Sequence, residues 1–467
     1  MIKTRAISSL ALAVALGWTM PASAQSAADF ATMKAQMEAM QAQLDAMKSK
    51  VDTLESQLST AQAEAQSATA AAASASASAA KASEVATKTA AAAPKVAWKG
   101  APEFSGPDGF SFKPRGRLQV DVAGVDGPAG IGSKSLGYAT ELRRAYIGLE
   151  GTLPGNFGYR SEFDIANSAV DITDLYLTYK ANPRLTVTIG QHKPFTGIEE
   201  QTSDIFTNYL ERAAFTSAFG FERRLGLSAT YTGKSVLVQG GVFADNVADL
   251  NNDTNNSYSI DGRVVFMPKL GSGQLHLAGS LHHREFNDAA IITRYRARPF
   301  VHTTDLRLVD TRAFSADGET SYGAELAWIA GRFHATGEVH RLVAHRPGLA
   351  DPKFVGGYAE AGLMLTDDVT VYRAGLYDRV RPKHPFGAGG SGAFQINGRY
   401  DYIDLSDAGI VGGRQRTAAA SLLWYPTDYI RFVLNYGHIW LDDAAVSAAG
   451  DRDYTADALG MRAQFDF

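Results

Sequence analysis

The chain closes on Leu459-Gly460-Met461-Arg462-Ala463-Gln464-Phe465-Asp466-Phe467, in which apolar Leu459, Met461, Ala463, Phe465 and Phe467 alternate with Arg462, Gln464 and Asp466. A period of two places the two sets on opposite faces of a β-strand. The same alternation recurs upstream. Leu118, Val120 and Val122 interleave with Arg117, Gln119 and Asp121, and Leu185, Val187 and Ile189 with Arg184, Thr186 and Thr188. Leu275, Leu277 and Leu281 interleave with Gln274, His276 and Ser280; Phe394, Ile396, Tyr400 and Tyr402 with Gln395, Asn397, Arg399 and Asp401. A soluble sandwich alternates too, with its apolar face inward. Two features favour a membrane barrel: the terminal strand ends on Phe467, and the connections come in two kinds.

Short links fall at 153–156, 182–184, 232–234, 268–273, 331–332 and 426–428. Between them lie polar stretches at 124–140, 191–222, 245–256, 285–320, 344–355, 405–415 and 442–454, read here as long loops. Seventeen candidate strands can be drawn. A single-chain bacterial barrel with both ends in the periplasm needs an even number. The weakest candidate is 369–380, whose apolar face is broken by Arg373, Asp378 and Arg379; assigning it to a connection leaves sixteen. The expected fold is all-β: a transmembrane antiparallel barrel of about sixteen strands, preceded by an N-terminal coiled-coil helix.

Upstream of the barrel the physics changes. Lys3 and Arg5, the apolar run 7–16 and Ala22-Ser23-Ala24 form a secretory signal peptide, residues 1–24, cut after Ala24. Phe30, Met33, Met37, Met40, Leu44, Met47, Val51, Leu54 and Leu58 step by 3 and 4 over four heptads, so 25–60 reads as a periplasmic coiled coil. Residues 61–95, mostly Ala, Ser, Thr and Lys, are compatible with a helical extension or a flexible linker. The barrel domain occupies 96–467. The formal charge of −4 becomes −6 when Lys3 and Arg5 are removed, and no basic excess points to nucleic acid. Cysteine is absent, which excludes disulfides, thiolate metal sites and a Cys nucleophile.

Short pieces spread along 110–467 resemble the phosphate-selective porin family, porins O and P. They include Gly116-Arg117-Leu118-Gln119, Arg143-Arg144-Ala145-Tyr146, Ile189-Gly190-Gln191 leading into 197–203, and Leu210-Glu211-Arg212. Further pieces are Arg298-Pro299, Leu423-Trp424-Tyr425-Pro426 and Met461-Arg462-Ala463-Gln464-Phe465. The resemblance implies a homotrimer of sixteen-stranded barrels in the Gram-negative outer membrane. It also implies a third outer loop folded into each lumen and arginines that draw anions inward. Carried over, Arg117, Arg143 and Arg144 take the anion-site positions. Arg143 and Arg144 are neighbours, so both can face the lumen only at a bulge or a strand end. Where phosphate-specific members carry lysines in the infolded loop, this chain has Glu200 and Asp204, with Glu199 beside them. Acidic rings favour cations, so tight phosphate specificity is not expected.

Arg294, Arg296 and Arg298 in the stretch 285–320 are further candidates for the anion pathway, since a charged concave wall concentrates counter-ions. A solvated loop is the alternative. His282 and His283 are strand neighbours pointing to opposite faces and make a poor chelate, so no metal is expected. No nucleophile, base and orienter converge in order or spacing, and neither a catalytic set nor a cofactor is expected. The expected partners are small ions and polar solutes, phosphate among them, the outer-membrane lipids and other copies of the chain. The competing reading is an adhesin-type or envelope-tethering protein built on the coiled coil.

Overall fold

The computed structural model describes residues 27–131, 136–166, 169–250, 256–286 and 292–467. The signal peptide expected at 1–24 lies outside them. Two compact units divide at Ala91 and Ala92. The first carries one helix, Ala27–Ala92, which runs without a break through the alanine-rich half. Its heptad residues Phe30 to Leu58 are all exposed.

The second unit is a closed barrel of sixteen strands. They are β1 (Ser111–Asp126), β2 (Tyr138–Leu153), β3 (Phe157–Asp164), β4 (Asp171–Asn182), β5 (Leu185–His192), β6 (Arg224–Thr232), β7 (Val236–Phe243) and β8 (Tyr258–Phe266). There follow β9 (Gly273–Glu285), β10 (Gly318–Ala330), β11 (Phe333–His345), β12 (Lys353–Met364), β13 (Ala393–Asp407), β14 (Ile410–Thr427), β15 (Ile430–Asp442) and β16 (Tyr454–Asp466). Each strand pairs antiparallel with the next. β16 returns to β1 in the register Asp466↔Arg117 through Asp457↔Asp126, so the barrel has no free edge. A short hairpin, Lys95–Trp98 with Pro102–Ser105, leads into β1.

The faces are inverted relative to a soluble sandwich. Leu118, Val120 and Val122 are exposed at 40–43%, whereas Arg117, Gln119 and Asp121 are buried. On β16, Met461 and Phe465 face out while Arg462, Gln464 and Asp466 face in. An apolar outside and a polar inside is the arrangement that lipid demands of a barrel.

The link at 369–380 is not a barrel strand. It forms a two-residue hairpin, Tyr372–Arg373 with Leu376–Tyr377, inside the long connection between β12 and β13. That connection emerges at the end where the short turns lie, and it folds inward. Tyr372 Oη is 2.6 Å from His276 Nδ1, and Tyr377 hydrogen-bonds Thr336. The stretch 405–415, expected as a long loop, is corrected: β13 and β14 continue through it. They turn on two residues, Ala408 (φ 51°) and Gly409 (φ 83°). Positive φ at both central positions matches the twist of the flanking strands. Gly412-Gly413 mimics a loop in composition, but the outer residues still pair as Asp407↔Ile410 and Ser406↔Val411.

The apolar core lies inside the barrel at its loop end, where the connection 193–223 and residues 292–317 fold inward. Phe215 stacks on His340 (centroids 5.0 Å apart), Tyr295 packs on Phe354 (5.4 Å), and Tyr209 packs on Phe300 (5.7 Å).

Candidate permeation pathway

Two neighbouring arginines reach the lumen because β2 carries one residue too many. Arg144 opposes Gln119 and Leu142 opposes Val120, which leaves Arg143 unmatched. Such a bulge turns two successive side chains to one side. Arg143 Nε and Nη2 donate to the two carboxylate oxygens of Glu211 at 2.8 and 3.0 Å. Arg144 Nε lies 2.6 Å from Asp204 Oδ2, and its Nη1 donates to Gln119 Oε1 at 2.8 Å. Arg117, on β1, also pairs with Asp204.

All three acids singled out from sequence sit on the connection 193–223, and each has a basic partner. Glu199 Oε1 is 2.6 Å from Arg399 Nη2 on β13; its Oε2 accepts from the Ala213 amide at 2.9 Å. Glu200 lies 2.9 Å from Lys193 Nζ and 3.4 Å from Arg212 Nη1. Asp204 is shared by Arg117 and Arg144. The loop therefore runs from β5 across the lumen to β13, eight strands on around the ring of sixteen, and is held along its flank by β1 and β2. Burial would raise the Asp204 carboxyl, but Arg117 and Arg144 override it and hold it well below the usual range. For Glu199 burial prevails over Arg399, and its pKa is raised. Burial opposes ionised Glu211 as well, yet Arg143 lowers its pKa.

Two cavities flank this crossing, of about 670 and 300 Å³. Arg144, Asp204, Arg212 and Arg223 line both, so the two cavities adjoin at these residues. The larger cavity also takes Arg294, Arg296, Arg298 and Arg307 from the connection 286–317. Its lining carries eight arginines and six carboxylates, and Arg294 and Arg298 are among the arginines that pair with carboxylates outside the lining. Arg294 is spoken for by Asp310 (2.7 Å), and Arg298 by Asp305 (3.2 Å) and the Thr304 carbonyl (3.0 Å). Arg296 is exposed and has no carboxylate partner among the described residues. Burial, then Arg298 and Arg296, lower the Arg307 pKa to about 10.

Sequence reasoning left out the wall that receives the loop. Arg399 is bonded to Glu360 as well as Glu199 (2.6 Å each) and lies 4.4 Å from the ring centroids of Tyr209 and Tyr358. The alternation around Phe394 already placed Arg399 on the inward face; its partners are too distant in sequence to read. From the turn end, Arg379 of the connection 365–392 pairs with Asp466 and sits 5.3 Å from the Phe206 ring of the infolded loop.

Residues 112–467 match the family profile described as phosphate-selective porin O and P. The chain belongs to this family. A relative from Caulobacter vibrioides, an uncharacterized protein, is 45% identical over 384 residues, 80% of this chain and 77% of the relative. Porin O of Pseudomonas aeruginosa is 26% identical over 398 residues, 77% of this chain and 89% of that protein. Among solved structures, outer-membrane expressed OmpT of Vibrio cholerae superposes with a TM-score of 0.50 at 10% identity. That match covers 80% of this chain and 100% of OmpT, and it supports the fold alone. The chain is thus an outer-membrane β-barrel porin, a channel and not an enzyme. In such a barrel the short turns face the periplasm and the long loops the exterior. The inturned 365–392 connection of this porin is therefore periplasmic, and the loop 193–223 enters from outside.

Proposed function

We propose that this porin is a diffusion pore for small hydrophilic solutes and ions with a weak preference for anions, and that phosphate is one permeant among others. One observation carries the reading: Arg117, Arg143 and Arg144 each face a carboxylate, while Arg296 on the wall of the larger cavity is exposed with no carboxylate partner among the described residues. Guanidinium stays charged and matches phosphate oxygens in bidentate fashion. Paired to Asp204 or Glu211, it has less attraction left for a passing anion. Arg294, Arg296 and Arg298 act at the outer mouth as a funnel, and Glu199, Glu200 and Asp204 fix the loop that narrows the pore. The functional unit is a homotrimer with its helix in the periplasm, supported by the exposed heptad seam and the family. Planar-bilayer recordings under a chloride gradient test the function. A modest anion reversal potential with little phosphate block is expected. Strong block at low phosphate would overturn it, and absence of conductance would favour the tethering reading.

A further inference from the structure

The helix Ala27–Ala92 presents more than the four apolar heptads that mark it as a coil. Continuing from Leu58 by the same steps of 3 and 4 reaches Ala61, Ala65, Ala68, Ala72, Ala75, Ala79, Ala82, Ala86 and Thr89. Half of the residues from 61 to 90 are alanine, fifteen of thirty, yet eight of these nine positions are. Every charged residue of that half, Glu64, Lys81, Glu84 and Lys88, stands off the line. The helix has no interruption at which the phase could be lost.

We propose that the helix associates along 30–89 with parallel, in-register copies of itself, the alanine-rich half included. This rests on the self-association in the reading above and extends it to a stretch that composition alone presents as a spacer. The connection to the barrel sets the direction. Only two residues separate Ala92 from Lys95, where the barrel unit's first hairpin begins. Barrels inserted in one membrane share one orientation, so their helices start from the same side.

Charge agrees with that direction. Taking Phe30 as position a, a parallel pair sets each g residue against the e residue five places on in the neighbour. The charged pairs that result are Asp29 with Lys34 and Lys50 with Glu55; Gln43 meets Lys48, Glu64 meets Thr69, and no like charges meet. The change from Met and Leu to Ala narrows the coil. Small side chains let helix axes approach to roughly 8 Å, the lower end of helix packing. The occupant of the exposed face is thus another copy of this helix, wide-cored in its first half and close-packed in its second.

The chain has no cysteine, so single cysteines report on the geometry directly. Met40→Cys, Ala68→Cys and Ala75→Cys lie at d positions; Ala77→Cys lies at f, on the outer face. In the full-length porin in outer-membrane vesicles, mild oxidation should cross-link the three d variants several-fold faster than Ala77→Cys. Cross-linking at Met40→Cys with Ala68→Cys and Ala75→Cys no faster than Ala77→Cys would overturn the inference and leave self-association standing. No cross-linking at any d position, with trimers still seen by native mass measurement, would reject the coil as a whole. Loss of the trimers too would reject the assembly.

Discussion

Glu199 and Arg399 are 200 residues apart in sequence and 2.6 Å apart in space. Their contact joins the loop that enters from outside to the far wall of the barrel. Arg399 also holds Glu360, so one guanidinium serves two buried carboxylates. Losing Arg399 leaves both without it, while losing the Glu199 charge leaves Arg399 one partner. Breaking a buried pair by removing one member costs about 3–5 kcal/mol. Arg399→Ala should therefore lower stability toward denaturant clearly more than Glu199→Gln and add open-channel noise. Equal destabilisation would mean that Arg399 is not the shared anchor.

Acid stability tests Asp204. Arg117 and Arg144 lower its folded pKa, so its ionised form stabilises the fold above the unfolded value of about 3.9. That contribution is lost as pH falls through the depressed folded pKa. Asp204→Ala should thus be less stable than wild type throughout pH 5–8. The gap should narrow only below about pH 4, in denaturation measured across pH. A gap that closes between pH 7 and 5 would point to another group.

Strand faces can be tested on the outside and the inside. Met461 is 55% exposed on the lipid face of β16, and a lysine there costs about 2–4 kcal/mol at the membrane midplane. Thr230 of β6 lines the 300 Å³ cavity, where a lysine meets water. Met461→Lys should cut the yield of folded porin in the outer membrane more than Thr230→Lys does. Gln464 is a poor control, because it accepts a hydrogen bond from Arg431 at 2.9 Å and a lysine there would face that charge.

Selectivity should follow the unpaired charge. Glu200→Gln leaves Lys193 and Arg212 without their shared carboxylate and should move the reversal potential toward anions. Arg296→Glu should move it the other way without altering expression, since Arg296 is exposed. Bi-ionic reversal potentials decide both, and shifts of one sign for the two variants would contradict the outer-mouth funnel.

The periplasmic connection 365–392 should limit current. Replacing 369–380 by a short glycine-serine link removes Tyr372, Tyr377 and Arg379 from the lumen. Single-channel conductance should rise. An unchanged conductance would place the limiting section elsewhere, at the loop 193–223.

The barrel was legible because lipid imposes a rule on every strand: alternation near Leu118 or Met461 reports a face without knowledge of any partner. Parity then removed 369–380. The condition on Arg143 and Arg144 was also readable, since two adjacent inward side chains require a bulge, and the ladder has one there. What a lumen-facing group touches was not readable. Asp204 meets residues 60 and 87 positions away, and nothing local marks which acid binds which base. Loops misled for a related reason: 405–415 has loop composition but strand pairing. The link 365–392 has turn-end topology but folds inward, because its tyrosines find partners on distant strands.

The extra residue at Arg143 carries a lesson about how such walls change. Before it on β2 the odd-numbered side chains point inward, and after it the even-numbered ones do, so Leu142 and Ile147 both still face out. An in-frame insertion of a single codon is enough to create that pattern. It adds a guanidinium to the wall while every residue already there keeps its neighbour across the ladder. Charge in this lumen can therefore be gained by lengthening a strand as readily as by exchanging one amino acid for another, and comparisons that count only substitutions would overlook it.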